Sequence, residues 1–280
     1  MVIAAYLTGG NRTMVYRCPV CRRRISITSR CVFARTRIPL NKLLFCVYLF
    51  LLNTRVNATP FFLGYVKNTY IHFKDKIIGS CEYLLDQSIR HLGGPNRNIQ
   101  IDQMAFRRGQ LVSNPTSETE NDRNTVWIVG AVEEQTTEER NNGRKHRFII
   151  KVVDNRATET FTTFLRENVR PGSRIKSDGW ASYPSAIRHC NVILGLNYTH
   201  EVVNHSIGFK NSDGTNTNTI EGFWAHLRQA WRERRGINRA RIDYFIIEFS
   251  FIKHFIDKEV AETIYSTFKL LLKKIFRNLF

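Results

Sequence analysis

The stretch "NIQIDQMAF", Asn98 to Phe106, is where the pattern of the chain changes. Its apolar and polar residues alternate, the period of a strand with one face packed. The strand is expected to end near Asp102. Just ahead lies "GGPNRN", Gly93 to Asn98, a breaker cluster that reads as a domain boundary. Downstream, "NTVWIVGAVEE" and "HRFIIKVVD" are apolar, β-rich runs of strand length, and the charged "EQTTEERNNGRKH" between them reads as a hairpin loop. "RATETFTTFLRENV" puts Phe161, Phe164, Leu165 and Val169 on one helical face, and Pro171-Gly172 stops it. "SRIKSDGW" is a fourth short strand with Asp178 at its end. "SYPSAIRHC" reads as a short helix, "THEVVNHS" as a strand, and "TNTNTIEGFWAHLR" opens a long helix to about Arg235. The order is β β β α β α β α. That is an α/β array with a mixed five-stranded sheet and flanking helices.

Upstream of the boundary the period is helical. "PLNKLLFCVYLFLLN" is a first apolar helix after Pro39. Thr59 and Pro60 mark another start, as N-cap and first helical position. "TYIHFKDKIIGSCEYLLDQSIR" is longer and amphipathic. Two helices joined by a tight turn near Lys67–Thr69 resemble a helix-turn-helix, with a plain helical bundle as the alternative. The expected division is 1–38 as a basic arm, 39–96 as the helical region, 97–236 as the α/β domain and 237–280 as C-terminal helices. The apolar run Leu43–Leu52 is too short to span a bilayer, and no membrane role is expected. The start lacks the basic n-region of a secretory signal, so the six cysteines are expected as reduced thiols in an intracellular protein.

Charge points to a polyanion. Forty-two Lys and Arg against 24 Asp and Glu leave +18. The excess is uneven: +12 over residues 1–97, +1 over 98–214 and +5 over 215–280. Arg22, Arg23 and Arg24 form a run with no acid anywhere before Asp75. Arg22, Arg23, Arg24, Arg228, Arg232 and Arg235 are candidates for phosphate contacts. Cys18-Pro-Val-Cys21 is half a zinc ribbon, because a tetrahedral structural site needs four ligands; the alternative is an unmetallated remnant.

Three acids stand out by position: Asp102 at the end of the first strand, Asp178 at the end of the fourth, Glu221 on the first turns of the last helix. In a ribonuclease-H-like sheet the first and fourth strands are neighbours, and the following helix lays its acid beside their ends. Such carboxylates can hold two divalent cations about 4 Å apart. Oxygen-rich sites suit Mg²⁺ or Mn²⁺. On the helix, Ile220, Phe223, Trp224, Leu227 and Trp231 form one apolar stripe, with Glu221 just outside it. The competing reading is a boundary Glu221 paired with Arg228 or Arg232. Trp180 and Tyr183 could stack on an unpaired base or simply pack the core; Trp224 anchors the helix; His205 could touch a phosphate or serve a structural role.

Taken together, "IQIDQMAF", "TVWIVGAVE", "RIKSDGWASYP", "HEVVNHSIGF" and "GTNTNTIEGFWAHLR" resemble the DDE transposases of Merlin-type DNA transposons and their bacterial insertion-sequence relatives, those with an ISXO2-like transposase domain. The likeness runs in order over about residues 97–235. The upstream "YRCPVCRRRISI" with its helical sequel resembles that family's N-terminal DNA-binding region, though the second Cys pair of its ribbon is missing here. The resemblance implies a catalytic triad of Asp102, Asp178 and Glu221, with Arg228 at the basic position seven after the Glu. It implies metal-dependent cleavage at transposon ends and 3′-OH strand transfer into target DNA. It also implies double-stranded DNA as partner, a homodimer or higher on paired ends, and a nuclear location in a eukaryote. A domesticated, catalytically inactive DNA-binding protein is the alternative.

Overall fold

The computed structural model describes residues 2–8, 11–34, 36, 38–107, 109–112, 124–203, 218–257 and 260–276. The chain opens with strands β1 (Val2–Thr8), β2 (Asn11–Arg17) and β3 (Arg24–Ser26), then helices α1 (Leu40–Leu51), α2 (Thr59–Leu63) and α3 (Lys67–Ser88). Strands β4 (Leu92–Gly93), β5 (Asn98–Arg107), β6 (Gln110–Val112) and β7 (Val126–Glu133) follow. Next come helix α4 (Thr137–Asn141), strand β8 (Phe148–Val153), helix α5 (Thr158–Asn168) and strands β9 (Val169–Arg170) and β10 (Arg174–Ser177). The order closes with α6 (Ser182–Leu194), β11 (Thr199–Val202), α7 (Asn218–Glu233), α8 (Ile242–Phe255) and α9 (Ala261–Ile275). Two compact units result: Met1–Leu84 with Phe251–Phe280, and Leu85–Ser250.

The first unit holds an antiparallel β1-β2-β3 sheet and helices. Leu43, Cys46, Val47 and Phe50 of α1 are buried, as an apolar run too short for a bilayer should be. Among the described residues no helix is long and apolar enough to cross a membrane. Phe33 packs edge-on against Phe73 with ring centroids 5.4 Å apart. The turn between α2 and α3 differs from expectation. It falls before Lys67, because Gly64 closes α2 in the left-handed conformation at φ 71 and α3 already begins at Lys67.

The second unit is a mixed sheet in the order β11-β10-β5-β7-β8, with β6 folded back on β5. β5, β10 and β11 run parallel; β7 and β8 pair antiparallel along the sheet, β7 with β5 and β8 with β7. Alternation on the strands splits the core into two layers. Ile99, Ile101, Val129 and Ala131 face Phe161 and Phe164 of α5 and Tyr183 and Ile187 of α6. Met104, Ile128, Val132 and Ile150 face Ile220, Phe223, Trp224, Leu227 and Trp231 of α7, so the whole expected stripe is buried.

Two further expectations about elements change. β5 does not end near Asp102 but continues to Arg107, because β7 pairs with it as far as Phe106↔Val126. The loop after Glu134 contains the short α4, nucleated by a capping box between Thr136 and Glu139. The division between units falls at Leu84–Leu85, ahead of the glycine cluster, since Ile89 and Leu92 are buried in the second unit's core. That unit also runs on past residue 236 to Ser250, and 251–280 belong with the first unit.

Candidate acidic site

β5 and β10 pair in parallel only from Asn98↔Arg174 to Gln100↔Lys176. Beyond that register the two strands part, and each carries an aspartate there. Asp102 lies two residues past the last pair on β5, and Asp178 directly follows β10. Both side chains are half-buried. Among the described residues each carboxylate oxygen accepts one hydrogen bond. Asp102 Oδ1 accepts from its neighbour's backbone, Gln103 N, at 2.8 Å, and Oδ2 from Trp224 Nε1 at 2.9 Å. Asp178 Oδ1 accepts from Trp180 N at 3.1 Å, and Oδ2 from Gln103 Nε2 at 3.1 Å. Gln103 is oriented in turn by the Tyr183 hydroxyl, which donates to its Oε1.

A carboxylate has about four lone-pair directions. Among the described residues this leaves each of these oxygens one direction for a further partner. Burial pushes the Asp102 carboxyl up to about 7, with the charges of Asp178 and then Glu221 adding to the rise against the bonds from Gln103 and Trp224. So Asp102 feels the charge of both other acids, with Glu221 half-buried on the first turn of α7. The donor chemistry, oxygen only and with excess negative charge, fits a hard divalent cation. As placed, no group of three or more His, Cys, Asp or Glu among the described residues is close enough to hold a metal ion.

The helix bearing Glu221 is seated by an absence on the sheet. Gly130 of β7 stands directly opposite Asp102 in the register. A Cβ there would meet Trp224 Cη2 at 2.5 Å and Cζ2 at 2.8 Å. The missing side chain lets the indole lie on the strand and reach across to Asp102. On the other side of the site, the Arg156 guanidinium sits between the rings of Trp127, 4.2 Å away, and Trp180, 3.8 Å away. Arg156 is 8% exposed, and burial pulls its pKa down while the nearby Tyr183 and Asp178 favour the charged form. Trp180 is thereby held in the turn whose backbone N–H binds Asp178.

The other candidate residues fall as follows. Tyr183 is fully buried beside Phe161, so its role is internal. His205 lies outside the described residues. Arg228 is half-buried and Arg232 and Arg235 are exposed on and just after α7. Arg22, Arg23 and Arg24 are exposed at the turn between β2 and β3. That turn is closed by Arg22 N donating to Cys18 O at 3.0 Å and Cys18 N donating to Arg23 O at 2.9 Å. Hydrogen bonds from Cys21 draw the Cys18 thiol down. Cys31 Sγ bonds locally to Thr28 O at 3.2 Å.

Sequence reasoning missed Gln100, Gln103, Glu134, Arg156, Lys176 and Gly130. One signal was present: Gln100, Asp102 and Gln103 are three polar residues inside an otherwise apolar strand. A polar side chain buried in a strand needs a partner.

These features define an α/β domain with an acidic, oxygen-donor site where two parallel strands part. Residues 97–252 match the ISXO2-like transposase domain, and the chain belongs to that family of transposases. No curated protein matches it significantly.

Proposed function

We propose that the chain is a DNA transposase whose second unit is a ribonuclease-H-like catalytic domain of the DDE type, close to the Merlin group. In this reading it cuts phosphodiester bonds at transposon ends and joins the freed 3′-OH to target DNA. Asp102, Asp178 and Glu221 are the catalytic carboxylates. The observation that carries it is geometric: Asp102 and Asp178 stand where β5 and β10 part, and Glu221 on α7 is near enough for its charge to add to the rise that burial gives the Asp102 carboxyl. Carboxylates crowded without need are destabilising, and such crowding marks functional sites.

Asp102 and Asp178 would hold Mg²⁺ or Mn²⁺ through the lone pairs left over from their four hydrogen bonds, and Glu221 would complete the set. When bound, the cations supply charge neutralisation at the attacking and leaving oxygens of the phosphodiester. The chain's own part is to fix the two aspartates from behind, through Trp224, Gln103 and the Trp180 backbone. The exposed arginines contribute sequence-independent phosphate contacts. The helices α2 and α3 and the basic turn of the first unit suit duplex DNA, in the manner of a helix-turn-helix.

A second reading is a chain that still binds DNA but no longer cleaves it. One observation favours it: the three carboxylates, as placed, do not close into a metal-holding group. A nicking assay on a transposon-end duplex with Mg²⁺ decides between them. Wild type is expected to nick and Asp178→Asn to bind the duplex without nicking. Full activity in Asp178→Asn would overturn the carboxylate assignment, and absence of nicking by wild type would favour the second reading.

A further inference from the structure

Gln100 lies outside the acid set, yet it is 1% exposed and two residues before Asp102 on the same face of β5. Its amide is used from both ends. Oε1 accepts from the backbone N–H of Ile220 at 2.9 Å. Nε2 donates to Glu134 Oε1 at 2.6 Å. Glu134 also accepts from Asn98 Nδ2 at 2.9 Å and from Lys176 Nζ at 3.0 and 3.1 Å. Lys176 stands two residues before Asp178, and Ile220 directly precedes Glu221. One chain of hydrogen bonds thus joins the three elements that carry the three acids.

We propose that Gln100, oriented by Glu134 and Lys176, is a positioning residue that sets Glu221 at the level of Asp102. The proposal rests on the reading of these acids as catalytic carboxylates. α7 begins at Asn218, so the Ile220 N–H has no acceptor four residues back within the helix. It needs one from elsewhere, and β5 provides it. The polarity of the chain follows from Lys176. A buried cation, 9% exposed, requires a carboxylate within its network, and here it stands at 134. That carboxylate requires a donor at 100, and the N-terminal turn of α7 requires an acceptor there. Only an amide side chain answers both. Leucine at 100 would strand the Ile220 donor and remove one donor from Glu134; glutamate would set two carboxylates face to face. With Trp224 on Asp102, the bond to Ile220 makes a two-point lock of α7 onto β5.

The test uses the full chain with Mn²⁺ as probe. Binding is read from the free Mn²⁺ signal in electron paramagnetic resonance, and the lock from hydrogen exchange at the Ile220 amide. Gln100→Leu is expected to lose protection at Ile220. It is also expected to weaken Mn²⁺ binding by about tenfold or more, the usual size of an effect on residues that orient metal ligands, with DNA affinity unchanged. The reciprocal pair Gln100→Glu with Glu134→Gln is the rescue. In that pair the carboxylate now on β5 accepts from Ile220 N–H and from the amide at position 134, whose oxygen in turn accepts from Lys176. Protection and Mn²⁺ affinity are expected to return together. Gln100→Leu with wild-type Mn²⁺ affinity overturns the proposal, and so does a reciprocal pair that regains protection without affinity. If Gln100→Leu does not fold, the reciprocal pair decides alone by its affinity. Wild type that binds no Mn²⁺ sensitive to Asp102→Asn refutes the site reading itself, and the positioning role falls with it.

Discussion

Gly130→Ala should damage a site to which Gly130 contributes no side chain. Left to local preference the change would help, because glycine inside a strand costs roughly 0.5–1 kcal/mol relative to alanine. The space decides otherwise. The new methyl would stand 2.5 Å from Trp224 Cη2, and contacts become ordinary only at 3.4 Å. The indole must retreat by about 0.9 Å. Trp224 is 1% exposed and its helix is packed by Phe223, Leu227 and Trp231, so the ring cannot simply swing away. Overpacking of this kind costs about 1–3 kcal/mol, which outweighs the strand preference. A retreat of 0.9 Å along the bond would also open the 2.9 Å contact to Asp102 beyond hydrogen-bond range. Chemistry is more sensitive than stability: a misplacement of about 1 Å can cost a hundredfold in rate. Gly130→Ala is therefore expected to lose about 1–2 kcal/mol in denaturant melts and about two orders of magnitude in Mg²⁺-dependent nicking, with DNA affinity retained. The double-mutant cycle with Trp224→Phe is the stricter measurement. A smaller ring leaves room for the methyl, so the pair should be more stable than the sum of the singles by about 1 kcal/mol or more. Additivity within about 0.5 kcal/mol, or a Gly130→Ala as stable and as active as wild type, would refute the packing argument.

Two further outcomes follow from charge. Asp102 titrates near 7 in the fold against an ordinary 3.8, so the fold prefers its neutral form. That preference is fully present below pH 4 and is lost as pH rises through 7, where the ionised group costs up to about 4 kcal/mol at 1.36 kcal/mol per unit. Asp102→Asn, which gives up about 1 kcal/mol of hydrogen bonding, should melt higher than wild type at pH 8 without divalent ions. The gap should close toward pH 4, and Mn²⁺ should stabilise wild type alone; equal melting at pH 8 would count against a raised Asp102 carboxyl. For the arginines, charge reversal at Arg232 and Arg235 should weaken binding to any duplex. It should also flatten the dependence of affinity on salt by about one unit of slope for each phosphate no longer neutralised. An unchanged slope would remove α7 from the DNA-binding surface.

How much of this could be read from the residues differs from element to element. The stripe on α7 was fully legible, because five large apolar side chains at helical spacing have only one use in a basic, polar segment. The adjacency of the strands bearing Asp102 and Asp178 followed from the order of elements and the resemblance together, and the parallel pairing of β5 with β10 bears it out. The extent of β5 was not legible. Its far half is a strand because β7 lies against it, and pairing is not written in either segment alone. The helix α4 was missed for a different reason: its capping box is a strong local signal, outweighed by a charged, glycine-bearing run that looked like a loop.

The hardest part to foresee is what fixes the acids in place. Gln100 and Lys176 read in sequence as polar interruptions of short strands, and Glu134 as the charged end of one. Each bond in their network crosses at least 34 residues of chain, from Gln100 to Glu134 at the shortest link between elements to Gln100 and Ile220 at the longest, 120 apart. No periodicity encodes such pairs. What the sequence does show is an imbalance: β5 carries three polar side chains where burial on both faces allows none without partners. That imbalance is physical information. It states that partners must exist, and that they must come from the neighbouring strand ends and the helix that covers them. Since the same neighbours carry Asp178 and Glu221, a strand too polar for its place in a sheet is the mark of a site, even before any one of its bonds is known.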